Sequence, residues 1–315
     1  MVSRRYSMLS RPHHRMEHTM LGKSERESAV HAQLAAQLGG WTGGDSVLLD
    51  LGARSVTLAT IAAIDGISAV VHIGHPAQPL PDLERLLLST SNSLLFTAAV
   101  PVHSQWTLVG RSNETSGVAI IDEAGMRDCR GVLRTLGLAP HVVPTSMSVE
   151  ERAELAGEHG VLVIEKSLIP AGFHELSDAG RFSEIPPLWY GLLETVETLA
   201  DFDSPSQVWL AFGPDQDHKG SLLTTLNVFA EHGVDLQHLR SQRSQAGPHI
   251  FLSSFGVPNS ENLLGLLAQL SERGVAYRVL AVIDGTEFVP GPDALDPIWS
   301  NMSDRALEQH RGDAS

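Results

Sequence analysis

Apolar residues in this chain recur in two rhythms, at every second residue or at every third to fourth, and each rhythm predicts an element where it holds. Residues 28–38 read as a helix with Val30, Leu34 and Leu38 on one stripe, ended by Gly39-Gly40. Residues 46–51 read as a strand, 56–63 as a helix, 69–73 as a strand, 80–88 as a helix and 93–100 as a strand. The pattern restarts with a buried strand over 117–122, a helix over 126–136, a short strand over 141–144, a helix over 148–158 and a strand over 160–164. Ser148, with Glu151 three residues on, has the form of a capping box. A further helix is expected over 191–200, before a linker at 201–206 marked by Asp, Pro and Ser. Strands alternating with helices indicate an α/β domain with a largely parallel sheet. Two such runs, joined near residues 101–116 with the chain returning after Arg181, make a two-lobe clamp, and the cleft between the lobes is where a polar small molecule belongs.

The last third changes rhythm. A strand over 208–212 precedes a helix whose Leu222, Leu226 and Phe229 fall on one face. Strands over 234–239 and 250–255, a helix carrying Leu263, Leu266, Leu267 and Leu270, and a strand over 277–283 complete the order β-α-β-β-α-β, the ferredoxin-like pattern. This stretch, 217–284, resembles an ACT domain, the small module that senses amino acids on metabolic enzymes.

Charge and composition narrow the partners. The 315 residues allow two or three domains, and 42% hydrophobic residues are ample for packed cores. A formal net charge of −15 argues against nucleic acid or an anionic membrane as partner, but not against a small anionic substrate held by a local arginine. Cys129 is the single cysteine, which fits a reducing, cytoplasmic setting. The first residues are basic without a continuous apolar core, so no secretory signal is expected, and residues 1–18 are expected to be a disordered tail. Pro12-His13-His14-Arg15 and His18 lack the ligand spacing of a zinc site and read as part of that tail, so no metal is expected. There is no P-loop, no Gly-x-Gly-x-x-Gly after a strand, no His-Glu-x-x-His and no Gly-x-Ser-x-Gly.

A two-lobe α/β unit followed by an ACT-like module is similar to prephenate dehydratase of the phenylalanine pathway, over most of the chain. That family opens its first lobe with Leu-Gly-Pro-x-Gly-Thr-x-Ser. Here the stretch is Leu21-Gly22-Lys23-Ser24-Glu25-Arg26-Glu27-Ser28, which keeps Leu21, Gly22 and Ser28. The family's Glu-Asn-Ser falls on Gly74-His75-Pro76 and its Ser-His on Asp122-Glu123, with Cys129 in register. The Thr- and Ser-rich turn is retained as Thr145-Ser146-Met147-Ser148, and the Thr-Arg-Phe signature reads Gly180-Arg181-Phe182. The resemblance implies a periplasmic-binding-protein-like clamp. It implies decarboxylation coupled to dehydration, which turns prephenate into phenylpyruvate, carbon dioxide and water. It further implies no cofactor, an amino-acid effector at the ACT module, and a homodimer or homotetramer. The chemistry needs an acid near the leaving hydroxyl and donors for two carboxylates. Gly180 supplies no side chain for either task. In the ACT-like module the family's Gly-Ala-Leu turn is Gly220-Ser221-Leu222, the expected effector contact. Its Glu-Ser-Arg-Pro reads Arg240-Ser241-Gln242-Arg243, which reverses a charge.

Each candidate residue carries two readings. Arg181 either holds a substrate carboxylate or pairs with Asp178 or Glu184 on the surface. Thr145, Ser146 and Ser148 either donate to an anion at a helix N-terminus or simply cap it, and Ser28 has the same two roles open at the first helix. His75, with His72 nearby, is the candidate general acid or a polar loop residue. Asp122 and Glu123 follow a strand at the point where α/β folds place their sites. Cys129 reads as a small buried residue. The expected organisation is a two-lobe domain over 19–200, an ACT domain over 206–285 and a tail over 286–315. The leading function is that of a prephenate dehydratase-like lyase acting on prephenate or a related cyclohexadienyl acid. The alternatives are a non-aromatising prephenate decarboxylase of specialised metabolism and an inactive ligand-binding homologue.

Overall fold

The computed structural model describes residues 20–42, 47–91, 93–113, 116–214, 218–243 and 249–285. The tails expected at 1–18 and 286–315, and Ser46 of the strand expected over 46–51, lie outside the described residues.

The first lobe opens with β1 (Met20–Lys23), a strand too short for the hydrophobic pattern to reveal. Ser28 caps α1 (Ala29–Leu38), its hydroxyl accepting from the His31 amide at 3.2 Å. Then come β2 (Leu49–Asp50), α2 (Arg54–Ala63), β3 (Ile67–His75), β4 (Gln78–Pro79), α3 (Pro81–Ser89) and β5 (Leu94–Val102). The chain passes through 103–105 into the second lobe. There it builds β6 (Trp106–Gly110), β7 (Val118–Asp122), α4 (Glu123–Leu136), β8 (Ala139–Val143), α5 (Val149–Ala156), β9 (Val161–Glu165) and β10 (His174–Glu175). A 3-10 segment, Ser177–Glu184, leads back to β11 (Leu188–Thr195) in the first lobe. The C-terminal module follows as β12 (Ser206–Pro214), α6 (Ser221–Glu231), β13 (Leu236–Arg243), β14 (His249–Val257), α7 (Ser260–Glu272) and β15 (Val275–Asp284).

The second lobe is a five-stranded sheet in the order β10-β6-β9-β7-β8. The other sheet has ten strands, ordered β13-β14-β12-β15-β5-β11-β3-β1-β2 with β4 beside β3. It runs through both the first lobe and the C-terminal module, which meet where β15 lies parallel to β5 at Ala281 and Phe96. The architecture is therefore a two-lobe α/β clamp followed by a ferredoxin-like βαββαβ module.

Three expectations are corrected. The helix expected over 191–200 is the strand β11, antiparallel to β3 on one side and β5 on the other. Leu188, Tyr190 and Leu192 face one core cluster while Leu193 and Trp189 face another. Burial on both faces removes the period-two alternation that would have marked a strand. Gly191 belongs there because a Cβ would lie 2.7 Å from the Phe96 ring and 2.9 Å from Ile73. Next, the joint expected over 101–116 is narrower, since Trp106–Gly110 is a paired strand of the second lobe. Finally, α1 buries His31, Ala32, Ala35 and Ala36, whereas Leu38 of the expected stripe is 51% exposed. The small alanines let the helix lie close to the sheet.

The C-terminal sheet buries both faces. One holds α6 and α7 over Val208, Leu210, Phe212, Phe251 and Phe255. The other packs Trp209, Ala211, Leu252 and Leu280 into the same cluster as Leu58, Ile61, Leu83, Leu87 and Phe96 of the first lobe. Trp209 also donates its indole N–H to the Pro76 carbonyl at 2.5 Å, and Ser254 Oγ donates to the Ala77 carbonyl. Trp209→Ala removes about 3–5 kcal/mol of packing. It is expected to lower the unfolding midpoint and to speed limited proteolysis in the 201–205 linker. Leu223→Ala, at a 65% exposed position, should do neither. Unchanged linker cleavage in the tryptophan variant would show that this contact does not hold the module in place.

Candidate functional site

The loop between β1 and α1 carries the polar centre of the clamp. Glu27 is fully buried, and each carboxylate oxygen takes one arginine. Oε1 lies 2.8 Å from Arg54 Nη2 and Oε2 lies 2.8 Å from Arg127 Nη1. Arg54 begins α2 in the first lobe and Arg127 sits on α4 in the second, so one carboxylate ties the lobes together. Arg127 Nε also holds Asp128 at 2.7 Å. Asp128 in turn accepts from the Trp106 indole at 3.1 Å. Trp106 stacks on His31 of α1 with ring centroids 5.2 Å apart, and His72 meets Tyr190 edge-on at 5.3 Å. At the rim, exposed Arg26 and Glu123 add a further interlobe pair at 3.4 Å.

A second centre adjoins the first. Ser28 Oγ lies 2.6 Å from Glu165 Oε1 and 2.8 Å from His31 Nδ1. The Gln105 amide donates to His31 Nε2 at 2.9 Å. That donor fixes the tautomer: the proton is on Nδ1, His31 donates to Ser28, and Ser28 donates to Glu165. The three residues join α1 of the first lobe to the end of β9 in the second.

Burial and neighbours divide the titratable groups. Burial pushes the Glu27 carboxyl up, but Arg127 and Arg54 outweigh it and hold Glu27 below the ordinary carboxylate range. Burial likewise opposes charge on Arg127, and Glu27 and Asp128 reverse that. His31 is lowered to about 4 by burial and then by Arg127, consistent with its acceptor nitrogen. His72 is lowered well below its usual value, first by burial. Glu165 is raised by burial; the Ser28 hydrogen bond opposes the rise and nearby Asp122 adds to it. Its Oε2 has no hydrogen-bond partner among the described residues. The seat therefore shifts the carboxyl toward its protonated form, the form that delivers a proton.

The residues singled out in the sequence are dispersed. Ser28 is buried at this centre. Ser148 is an exposed cap, its hydroxyl and amide both engaged with Glu151 in a capping box. Ser146 is exposed, and Thr145 offers its carbonyl to Arg152 at 2.9 Å while its buried hydroxyl has no partner among the described residues. Arg181 is half-exposed, its Nε 3.4 Å from Asp178, and Gly180 beside it is exposed. Of that triplet only Phe182 enters the core. His75 accepts from the Ala77 amide at 3.1 Å and meets Trp189 edge-on, at the hairpin that touches the C-terminal module. Asp122 caps α4 and pairs with buried Arg152 at 2.8 Å. Cys129 is buried. In the C-terminal module Gly220 sits at φ +95 before α6, Ser221 closes the turn against His218, and Leu222 is partly buried. Arg240 pairs with Glu84 of α3 at 3.0 Å and reaches the Pro79 carbonyl at 3.3 Å.

Sequence reasoning passed over Glu27, His31, Arg54, Arg127, Asp128 and Glu165. One signal was available: Glu27 places an acid in the first-lobe motif one residue before Ser28. No group of His, Cys, Asp or Glu among the described residues forms a metal site.

Neither a protein-family model nor a curated protein matches the sequence. Solved structures do match the fold. A prephenate dehydratase from Arthrobacter aurescens, in complex with L-Phe, superposes with a TM-score of 0.64 at 17% identity, covering 94% of this chain and 99% of that one. The prephenate dehydratase from Staphylococcus aureus subsp. aureus Mu50 gives 0.61 at 13%, over 84% and 100%. GqqA, described as a novel type of quorum quenching acylase, gives 0.61 at 18%, over 85% and 99%. These likenesses establish the fold.

The seam yields two measurable consequences. Glu27→Gln removes the carboxylate shared by Arg54 and Arg127, which then keep Asp82 at 3.3 Å and Asp128 at 2.7 Å respectively, and breaking a buried pair in this way costs about 3–5 kcal/mol. Urea unfolding should show a loss of that order, and the Glu27→Met, Arg54→Met double variant, which leaves Arg127 on Asp128 and frees only the exposed Asp82, should recover part of it. A loss below about 1 kcal/mol would mean that the seam does not hold the lobes. His31 makes stability fall with acid. Its folded value, about 4, lies below the usual 6.5, so its contribution is complete above about 6.5 and declines as pH drops toward 4. Denaturation midpoints of His31→Gln should be flatter than wild type across that window.

Proposed function

We propose that the chain binds prephenate or a related cyclohexadienyl acid between its lobes and drives loss of its ring carboxylate with Glu165 as the proton donor. The observation that carries this reading is the buried Glu165 carboxyl, 2.6 Å from Ser28 Oγ at the lobe junction, which burial shifts toward its protonated form. Both routes from prephenate need one proton. In dehydration, the electron pair freed with carbon dioxide expels the ring hydroxyl, which leaves as water once protonated. In non-aromatising decarboxylation, the hydroxyl stays and the proton goes to a ring carbon. A carboxyl shifted by burial toward its protonated form suits either. Glu165 and Ser28 are covered in the closed arrangement, so the ligand reaches them when the lobes part, as in clamp proteins generally. Parting releases Arg127 from Glu27 and turns a guanidinium toward a substrate carboxylate. By the resemblance, Gly180 in place of the signature threonine suits the non-aromatising route, although the position is exposed in the closed arrangement.

Ser28 supports a second reading. A serine hydroxyl 2.6 Å from a carboxylate oxygen, on a fold shared with an acylase, fits hydrolysis of an acyl amide. In that reading Glu165 takes the serine proton, since His31 already presents a proton to Ser28 and cannot accept another there. The remaining assignments belong to the same proposal: a two-lobe domain over 19–200, a regulatory ACT module over 206–285 and a homo-oligomer in the cytoplasm. No helix among the described residues is long and apolar enough to cross a membrane.

Incubating the protein with prephenate, while following phenylpyruvate absorbance and substrate loss, separates the readings. Phenylpyruvate above the spontaneous rate indicates the dehydratase, and substrate loss to a non-aromatic product indicates the decarboxylase. Glu165→Gln should lower either rate by about 10²-fold or more, the scale of general acid catalysis. Gly180→Thr has room, since a Cβ there meets nothing within 4 Å, and should shift the product toward phenylpyruvate. If prephenate raises thermal stability without turnover, the chain is a binder. Amide hydrolysis lost in Ser28→Ala, with prephenate inert, would favour the acylase reading instead.

A further inference from the structure

A cavity of about 380 Å³ lies away from the interlobe seam, where the lobe-facing side of β12, β14 and β15 meets Leu88 of α3. Its volume is at the small end of ligand pockets, about 300–1,000 Å³. Ala211, Ile250 and Ala276 make its walls largely apolar, and Tyr277 borders it. The basic groups that line it among the described residues are the Arg278 guanidinium and the His249 imidazole. Arg278 stands opposite Ala211 in the β12–β15 ladder, and Ala211 packs toward the first lobe. The arginine therefore rises from the same face. It donates to the Ser91 carbonyl of the first lobe, yet its Nε is buried without a hydrogen-bond partner among the described residues. No carboxylate among the described residues offsets the burial that pulls this guanidinium down. A half-buried cation with an orphaned donor calls for an acceptor.

We propose that this cavity binds a small monocarboxylic acid with an apolar aryl or branched-alkyl body, its carboxylate on Arg278 and its body against Leu88 and Ile250. One guanidinium fork matches one carboxylate. A phosphate would call for further permanent cations, and Arg278 is the one guanidinium or ammonium among the described lining residues. A free amino acid would bring an ammonium group, and no described carboxylate is there to receive it. The site therefore selects the acid without the amine. Leu88 and Ser91 belong to the first lobe and the other walls to the C-terminal module, so an occupant is shared by both and couples them. The inference stands whether or not the clamp turns over prephenate.

The test is calorimetric titration of the full chain with phenylacetate as probe. Phenylacetate should bind, and phenylacetamide, alike in shape but uncharged, should bind at least about tenfold more weakly, the worth of one charge-assisted contact. Arg278→Gln should lose the same factor. Ala276→Phe fills the cavity from an exposed position and leaves the arginine in place, so it should abolish binding without disturbing the core. Glu165→Gln should leave the affinity unchanged, which separates this site from the clamp. The proposal is overturned if phenylacetate gives no heat at millimolar concentration, or if its affinity survives both Arg278→Gln and Ala276→Phe. Binding of L-phenylalanine as tight as that of phenylacetate would overturn the selection for an acid without an amine.

Discussion

The clamp depends on a carboxylate buried between two arginines. Glu27 has no exposed side-chain surface, and Arg54 and Arg127 each reach it at 2.8 Å from different lobes. Removing such a charge from water is costly, and the arginines offset that cost only in this one geometry. The seam therefore specifies how the lobes meet more than it adds net stability. Trp106, Asp128, His31 and Tyr190 are arranged around it, and the first core cluster runs through Trp106 and Tyr190 from one lobe to the other. Ser28 follows Glu27 directly, so the chain that forms the ion pair also seats Glu165.

The charge reversal at Arg240 acquires a structural reason. The side chains of β13 alternate between partly buried and exposed, with His238, Arg240 and Gln242 turned inward. Arg240 meets Glu84 on α3, and Arg85 reaches Gln242 at 3.3 Å. Burial raises Glu84 to about 7, against the pull of Arg240 and Arg85. The edge strand of the C-terminal module is thereby braced to the first lobe, alongside Trp209 on Pro76. A glutamate at 240 would set two carboxylates against each other at this contact.

The element order was legible because most helices pack on one face and the ferredoxin-like module keeps its alternation. The capping box at Ser148 and Glu151 was legible as a local motif with a mechanism. Strand β11 was not, since a strand covered on both faces looks like any apolar run. The polar centre was less legible still. Glu27, Arg127 and Glu165 are far apart in sequence, and none lies in a motif that names its chemistry. Their significance comes from shared burial, which only the assembled lobes create. Arg181 shows the converse: a residue prominent by resemblance lies half-exposed beside Asp178.

Two glutamates in this site are both buried, and their neighbours shift them in opposite directions. Glu27 has two guanidinium partners and remains ionised despite full desolvation. Glu165 has one hydroxyl partner, and desolvation, with Asp122 adding to it, outweighs that hydrogen bond and raises its carboxyl. The first acid holds the lobes in register, and the second is shifted toward its protonated form. Both states depend on closure. Opening the lobes would hydrate Glu165 and draw its carboxyl back toward the ordinary range, while Glu27 would lose Arg127 and keep Arg54. Closure would raise the Glu165 carboxyl again as water leaves, while Glu27 regains Arg127, so the two opposed shifts are products of the assembled lobes.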